Sequence, residues 1–259
     1  MSSGASAQTW HATFGVAHVE ATRLGQDSPL CAAWDDRGYG GVVDAVSFLF
    51  LGHVFTANMT GNVVLLAFAS TGVPEVSVAR SLTALCAFLV GAAVGGRILA
   101  DAGAQSQIRS AISAFGLEIA FLSAATLSAI GYKSASSSPV LQLYALIGLT
   151  AVAMGMRNAA VRKLGVPDLT TTVLTLTITG LAADSSLAHG SNPRWQRRLA
   201  SVLAMFAGAT MGVIILRRSV FAALGFAVVV SSVCCVALLS SLRWSSQVQA
   251  SMTAEQHRV

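Results

Sequence analysis

Few side chains in this chain could do chemistry, and most of them stand inside apolar surroundings. Glu118 lies well within the apolar run Ala111 to Gly131, which at about 1.5 Å of rise per residue puts it near the midplane of a bilayer. A lone carboxylate at that depth is costly and marks a functional position by default. Either protonation or pairing with a cation relieves the cost. The first would make Glu118 a proton-coupling group; the second would tie it to Arg157, near the end of another apolar run. Both readings are open on the sequence. Asp44 follows Gly41 at the start of the first apolar run and is a second proton-coupling candidate, unless helix amides and lipid headgroups simply solvate it. Asp184 has a similar setting further on. His53 beside Gly52 reads as a hydrogen-bonding residue before it reads as a proton shuttle.

The uncharged polar residues form two groups. The stretch Gly52-His53-Val54-Phe55-Thr56-Ala57-Asn58-Met59-Thr60-Gly61-Asn62 places glycine and hydrogen-bonding side chains at membrane depth, where backbone groups must be buried in protein or wetted. Further on, Gly165-Val166-Pro167-Asp168 stops a helix, because proline lacks an amide hydrogen and disfavours helical geometry before it. Thr171, Thr175 and Thr179 then share one face of a helix that Asp168 is placed to cap. Helices broken at membrane depth expose free amides or carbonyls that hold ions and solutes. Asn58, Thr60, Asn62, Thr171 and Thr175 are therefore the candidate substrate-binding set. The alternative for the threonines is that they bond their own helix backbone and hold neighbouring helices together. Asn58-Met59-Thr60 has the form of a glycosylation acceptor, but that motif belongs to exposed loops of secreted proteins.

The elements that position these residues are membrane helices. Charged residues make up only 10% of the chain against 54% hydrophobic, too few for a water-soluble surface. Apolar stretches run over Val42 to Ala69, Leu82 to Ala100, Ala111 to Gly131, Val140 to Val161 with a continuation to Ala183, Leu199 to Leu216 and Val220 to Leu242. The fold class is thus all-α, a polytopic membrane protein of about six transmembrane helices whose first and fourth elements are too long for one simple helix. Residues 1–39 read as a polar cytoplasmic leader without the apolar core of a secretory signal. Residues 244–259 read as a polar tail. Lysine and arginine stand singly or in pairs at the edges of apolar runs, which is a topology signal and excludes nucleic acid as a partner. Their distribution predicts both termini on the cytoplasmic side. Cys31, Cys86, Cys234 and Cys235 have no metal-type spacing and read as packing residues. No metal or cofactor is expected.

The chain also resembles itself. Met59 to Ala67 aligns with Leu174 to Ala182, and Arg80, Leu82, Ala87, Gly91, Ala92 and Gly95 fall opposite Arg197, Leu199, Ala204, Gly208, Ala209 and Gly212 at nearly the same offset. Residues 40–132 and 139–243 each hold a long interrupted element, a glycine-bearing helix and a third helix. An odd number of crossings per half would invert one half relative to the other. The competing reading is chance alignment of the small residues common at helix contacts.

Two stretches closely resemble a known signature. They are Gly41-Val42-Val43-Asp44-Ala45 running on to Asn62, and Met154-Gly155 through Asn158-Ala159-Ala160 to Leu164-Gly165-Val166-Pro167-Asp168-Leu169-Thr170-Thr171-Thr172-Val173-Leu174-Thr175. Both are similar to the YoaK-type bacterial membrane proteins, a family classed as a domain of unknown function. The resemblance implies a multi-pass inner-membrane protein and brings no substrate or catalytic residue with it. Arg157, where the family pattern leads one to expect Gln, and Ala67 and Leu176, where it leads one to expect Gly, depart from that pattern.

A repeated, broken, polar element with few charges best fits a transporter of a small solute, with the lipid bilayer as its other partner and a homo-oligomer left open. A channel or a membrane scaffold is the alternative. An enzyme is not expected, since Asp44, His53, Glu118 and Asp168 form no recognised catalytic constellation.

Overall fold

The computed structural model describes residues 38–100, 104–163, 174–191, 195–236 and 240. Among these the chain is helical and contains no strand. The helices are α1 (Tyr39–Phe50), α2 (Met59–Ser70), α3 (Val78–Ile98), α4 (Ala104–Ser128), α5 (Val140–Lys163), α6 (Leu174–Ala183), α7 (Trp195–Leu216) and α8 (Val220–Val236). Four of them, α3, α4, α5 and α7, are long and apolar enough to cross a membrane. The other four are apolar but only 10–17 residues long.

The first long apolar run is divided, as its polar interruption requires: α1 begins at Tyr39, and α2 starts again at Met59 after the break over 51–58. Helix α4 begins at Ala104, earlier than the apolar run alone indicates. The break after α5, with Pro167, Asp168 and Thr171, lies outside the described residues, as do residues 1–37 and the C-terminal tail.

Burial is inverted relative to a water-soluble protein. Leu89 and Val90 on α3, Phe206 and Ile214 on α7 and Val233 and Val236 on α8 are exposed, while Asp44, Asn62, Glu118 and Arg157 are buried. Apolar surface turned outward on this scale is stable only against lipid.

Glycine sets the tightest contacts. On α3, a Cβ at Gly91 would overlap the Val152 carbonyl of α5, and one at Gly95 would stand 2.9 Å from the Met156 carbonyl oxygen. From the other side, a Cβ at Gly155 would overlap the Phe88 carbonyl. The α1–α7 seam repeats this arrangement. A Cβ at Gly208 would overlap the Gly38 carbonyl, one at Gly212 would lie 3.0 Å from Val42 Cα, and one at Gly41 would lie 2.6 Å from the Met205 carbonyl oxygen. In both seams the contact advances along the two helices together, so each pair runs parallel. Such close approach maximises dispersion contact where lipid supplies no hydrophobic drive between helices.

Helix α4 runs antiparallel to α5, with Gln142 Nε2 donating to the Ser128 carbonyl at 2.7 Å near one end and Arg157 facing Glu118 nearer the other. Helix α2 packs on α3, and α6 packs on α7. Arg198 of α7 donates to the Gly180 carbonyl at 2.8 Å and pairs with Asp184 at 2.6 Å, closing the end of α6.

Candidate functional site at the first helix break

Helix α1 ends at Phe50 and is capped by Leu51, whose amide donates to the Ser47 carbonyl at 3.1 Å. The next two residues reverse the chain. Gly52 has φ +85° and His53 φ +60°, a left-handed pair that glycine adopts freely and histidine only under constraint. The constraint is visible. Arg80 Nη1 donates to the Gly52 carbonyl at 2.8 Å, the Tyr132 hydroxyl donates to the Phe50 carbonyl at 2.8 Å, and His53 Nδ1–H donates to the Glu75 carbonyl at 3.2 Å. Phe48 stacks on Phe55 at 4.9 Å between centroids and meets the His53 ring edge-on at 5.2 Å.

The chain then turns back along α1 into the bundle. The amides of Ala57 and Asn58 donate to Asp44 Oδ1 at 2.8 and 3.3 Å. Asp44 stands six residues before the end of α1, about 9 Å back along the helix axis. The break is therefore re-entrant: α1 advances, the 51–58 segment returns to the depth of Asp44, and α2 starts there. Asn58, the N-cap of α2, makes no side-chain capping bond. The Asp44 carboxylate takes that place from the neighbouring helix, facing the free amides and positive end of α2.

Asn62 completes the loop. Its Oδ1 accepts the Phe55 amide at 2.9 Å, and its Nδ2 donates to the Phe55 carbonyl. Gly61 leaves room for the Phe55 ring, since a Cβ there would come within 2.6 Å of it. Thr56, fully buried in the same loop, has no hydrogen-bond partner for its hydroxyl among the described residues.

The expected binding residues are placed unequally. Asp44, Asn58 and Asn62 come together at the break. Thr60 is exposed on α2. Thr175 and Thr179 are exposed on α6, with the Thr179 hydroxyl donating to the Thr175 carbonyl at 2.9 Å, the local bonding that threonine favours in a helix. Helix α6 instead turns Thr177 inward, its one buried residue. The signal for Thr177 was present in the internal alignment, which sets it opposite Asn62, the one buried residue of α2. Thr171 lies outside the described residues.

Glu118 and Arg157 form a second buried cluster. Arg157 Nη1 lies 3.2 Å from Glu118 Oε1 and 3.3 Å from Oε2. Ser231 of α8 donates to Glu118 Oε1 at 2.9 Å and accepts from Arg157 at 3.3 Å. The guanidinium also lies 4.7 Å from the centre of the Tyr39 ring and 5.7 Å from that of Phe115. One cluster thus joins α1, α4, α5 and α8. Sequence reasoning reached the two charges but missed Ser231 and Tyr39, which are ordinary residue types with no distinguishing spacing.

A sequence profile of the family described as "Protein of unknown function (DUF1275)" matches residues 38–237, from the first turn of α1 to the end of α8. The chain belongs to this family. The UPF0700 transmembrane protein YoaK of Bacillus subtilis (strain 168) is 36% identical over 146 residues, 56% of this chain. The matched stretch spans 62% of that relative's length. No solved structure matches the chain. This DUF1275 protein is thus a membrane protein by both its relatives and its outward apolar surface, and the re-entrant break lies within the matched region.

Proposed function

We propose that this protein transports a small solute across the bacterial inner membrane, using two inverted repeats whose breaks form the transport site. The observation that carries the reading is the exchange of glycine contacts between the halves. Gly91 meets Val152 and Gly95 meets Met156; Gly208 meets Gly38 and Gly212 meets Val42. Residues 117 positions apart on α3 and α7 touch residues 114 positions apart on α5 and α1. A two-fold axis relating the halves gives that reciprocity, whereas chance similarity of small residues does not.

On this reading α1, α3, α4, α5, α7 and α8 supply six net crossings, while α2 and α6 belong to re-entrant elements entering from opposite faces. The first turn of α1 and the later part of α8 both meet Arg157, so the described ends lie toward the same side. Arg97, Arg162, Lys163, Arg197 and Arg198 stand at that end of their helices, which makes it the cytoplasmic side. The solute site lies about Asn58 and Thr56, at the break that Asn62 braces, with Thr177 at the aligned position of the other half. Asp44 is the group suited to proton coupling, because its charge state sets how firmly the Ala57 and Asn58 amides are held. Glu118 has its charge compensated by Arg157.

The test is substrate-dependent proton flux into liposomes holding purified protein with an internal pH-sensitive dye, screened against pools of small metabolites. Saturable flux that Asp44→Asn uncouples supports the reading. Flux that never saturates would make the protein a channel, and folded protein with no flux for any pool would remove the transport assignment.

A further inference from the structure

A groove of about 540 Å³ runs along the α3–α5 seam, lined by Phe88, Ala92 and Gly96 on one side and by Asn158, Ala159, Arg162 and Lys163 on the other. We propose that it seats an anionic phospholipid, with the phosphate at Arg162 and Lys163 and an acyl chain against Phe88 and Ala92. The inference does not depend on the transport reading.

The polarity of the groove supports this. Gly95 is level with Met156 and Gly155 with Phe88, so Arg162 and Lys163 lie roughly 10 Å from Phe88 along the helix axes. Charge is thus gathered at the mouth, at the ends of both helices, and the apolar wall runs inward from it. Arg97, exposed in the last turn of α3, places a further cation at the same end of the bundle without lining the groove. Among the described residues, the lining holds no carboxylate. Cations in the last turn of a helix also complement its dipole, but that role calls for no apolar trough. Basic pockets between membrane helices near the surface are suited to phospholipid headgroups, with each basic residue favouring an anionic lipid several-fold.

A lipid suits the groove better than a free solute. The seam is flanked by the outward-facing Leu89, Val90 and Val94 of α3, where lipid chains already lie. Sites for free small molecules enclose most of the ligand surface, and this groove is only about half enclosed. Gly96 marks the trough floor: a Cβ there would meet nothing within 4 Å, so a larger side chain fits inside without displacing protein.

The experiment is native mass spectrometry of the delipidated full-length protein. Bound lipid is counted during titration with short-chain phosphatidylglycerol, with phosphatidylcholine of the same chain length, and with glycerol phosphate as the headgroup alone. Wild type should favour phosphatidylglycerol over phosphatidylcholine at least tenfold, with no displacement by glycerol phosphate. Arg162→Gln with Lys163→Gln should lower phosphatidylglycerol affinity roughly 30-fold, about fivefold for each cation. Gly96→Leu, which keeps both cations, should also reduce retention by filling the trough. If one variant fails to fold, the other still decides. Equal retention of the two lipids, or undiminished preference in a folded variant, would overturn the proposal. Displacement by glycerol phosphate would also overturn it and make the groove a site for a free anion.

Discussion

Arg157→Gln should be among the most damaging single substitutions in this protein. Glu118 is 0% exposed and Arg157 3% exposed, so neither charge has water to fall back on. Removing the guanidinium leaves the carboxylate, among the described residues, with the Ser231 hydroxyl as its remaining hydrogen-bond donor. Breaking one side of a buried ion pair costs about 3–5 kcal/mol. Glu118→Gln should cost less, because the guanidinium keeps the faces of Tyr39 and Phe115, contacts worth about 0.5–2 kcal/mol each. The double variant replaces two charges by two amides and leaves no bare ion. Its loss should fall short of the sum of the single losses by at least about 2 kcal/mol, an interaction energy in the range found for directly bonded pairs. The assay is reversible unfolding in mixed micelles followed by helix content, with the thermal midpoint as a second readout. A loss of 3–5 kcal/mol corresponds to a drop of roughly 6–20 °C for a chain of this size. Single losses that add fully in the double variant would refute the argument, because they would mean that the two charges contribute independently.

Other perturbations follow from contacts already described. Gly91→Leu and Gly208→Leu should destabilise the fold to a similar degree, each forcing apart a seam where even a Cβ overlaps backbone; Gly116→Ala, whose Cβ meets nothing within 4 Å, should be neutral or stabilise by up to about 1 kcal/mol, as measured by the same unfolding assay. Asp44→Asn should loosen the re-entrant segment, seen as several-fold faster labelling of a cysteine introduced by Thr56→Cys, because a neutral amide is a weaker acceptor for the Ala57 and Asn58 amides than a carboxylate. Burial pushes the Tyr132 phenol, in the turn after α4, up to about 12 against the opposing effect of the Arg80 charge; the stabilisation this group contributes is complete below its unfolded value of about 10 and is lost as pH rises through about 12. Tyr132→Phe should abolish that alkaline slope and cost about 1 kcal/mol at neutral pH through the lost bond to the Phe50 carbonyl, readable from unfolding curves across pH 9–12.

Much of the helix layout was legible because composition and span length are strong signals in a membrane chain. The 51–58 break was equally plain, since Gly52, Asn58, Gly61 and Asn62 have no place in an unbroken lipid-facing helix. What the sequence left open is how the polar atoms pair. Asn62 has the residue type of a ligand-binding group, but its amide is taken up by both backbone groups of Phe55. Thr175 and Thr179 share a face by periodicity, yet periodicity alone does not say which face turns inward, and the structure turns Thr177 inward instead. The Glu118–Arg157 contact bridges 39 positions and was open to sequence reasoning only as one of two ways to relieve a buried charge.

The repeat proposed above has its sharpest consequence at the seam contacts. The glycine correspondences set Gly41 opposite Gly155 and Val42 opposite Met156, and the next two positions then set Val43 opposite Arg157 and Asp44 opposite Asn158. The first half therefore carries an acid where the second carries an amide, and the second carries a cation where the first is apolar. In a transporter built on these repeats, the first break is held by a group that can take up a proton, and the aligned position of the second half, Asn158, carries an amide that does not titrate. Asp44→Asn makes the halves alike at this position, so it should flatten the pH dependence of flux while leaving solute exchange intact. Asn158→Asp should instead add a pH response on the opposite face. Loss of all flux in Asp44→Asn, with folded protein, would place Asp44 in solute binding and remove the division of labour argued from the repeat.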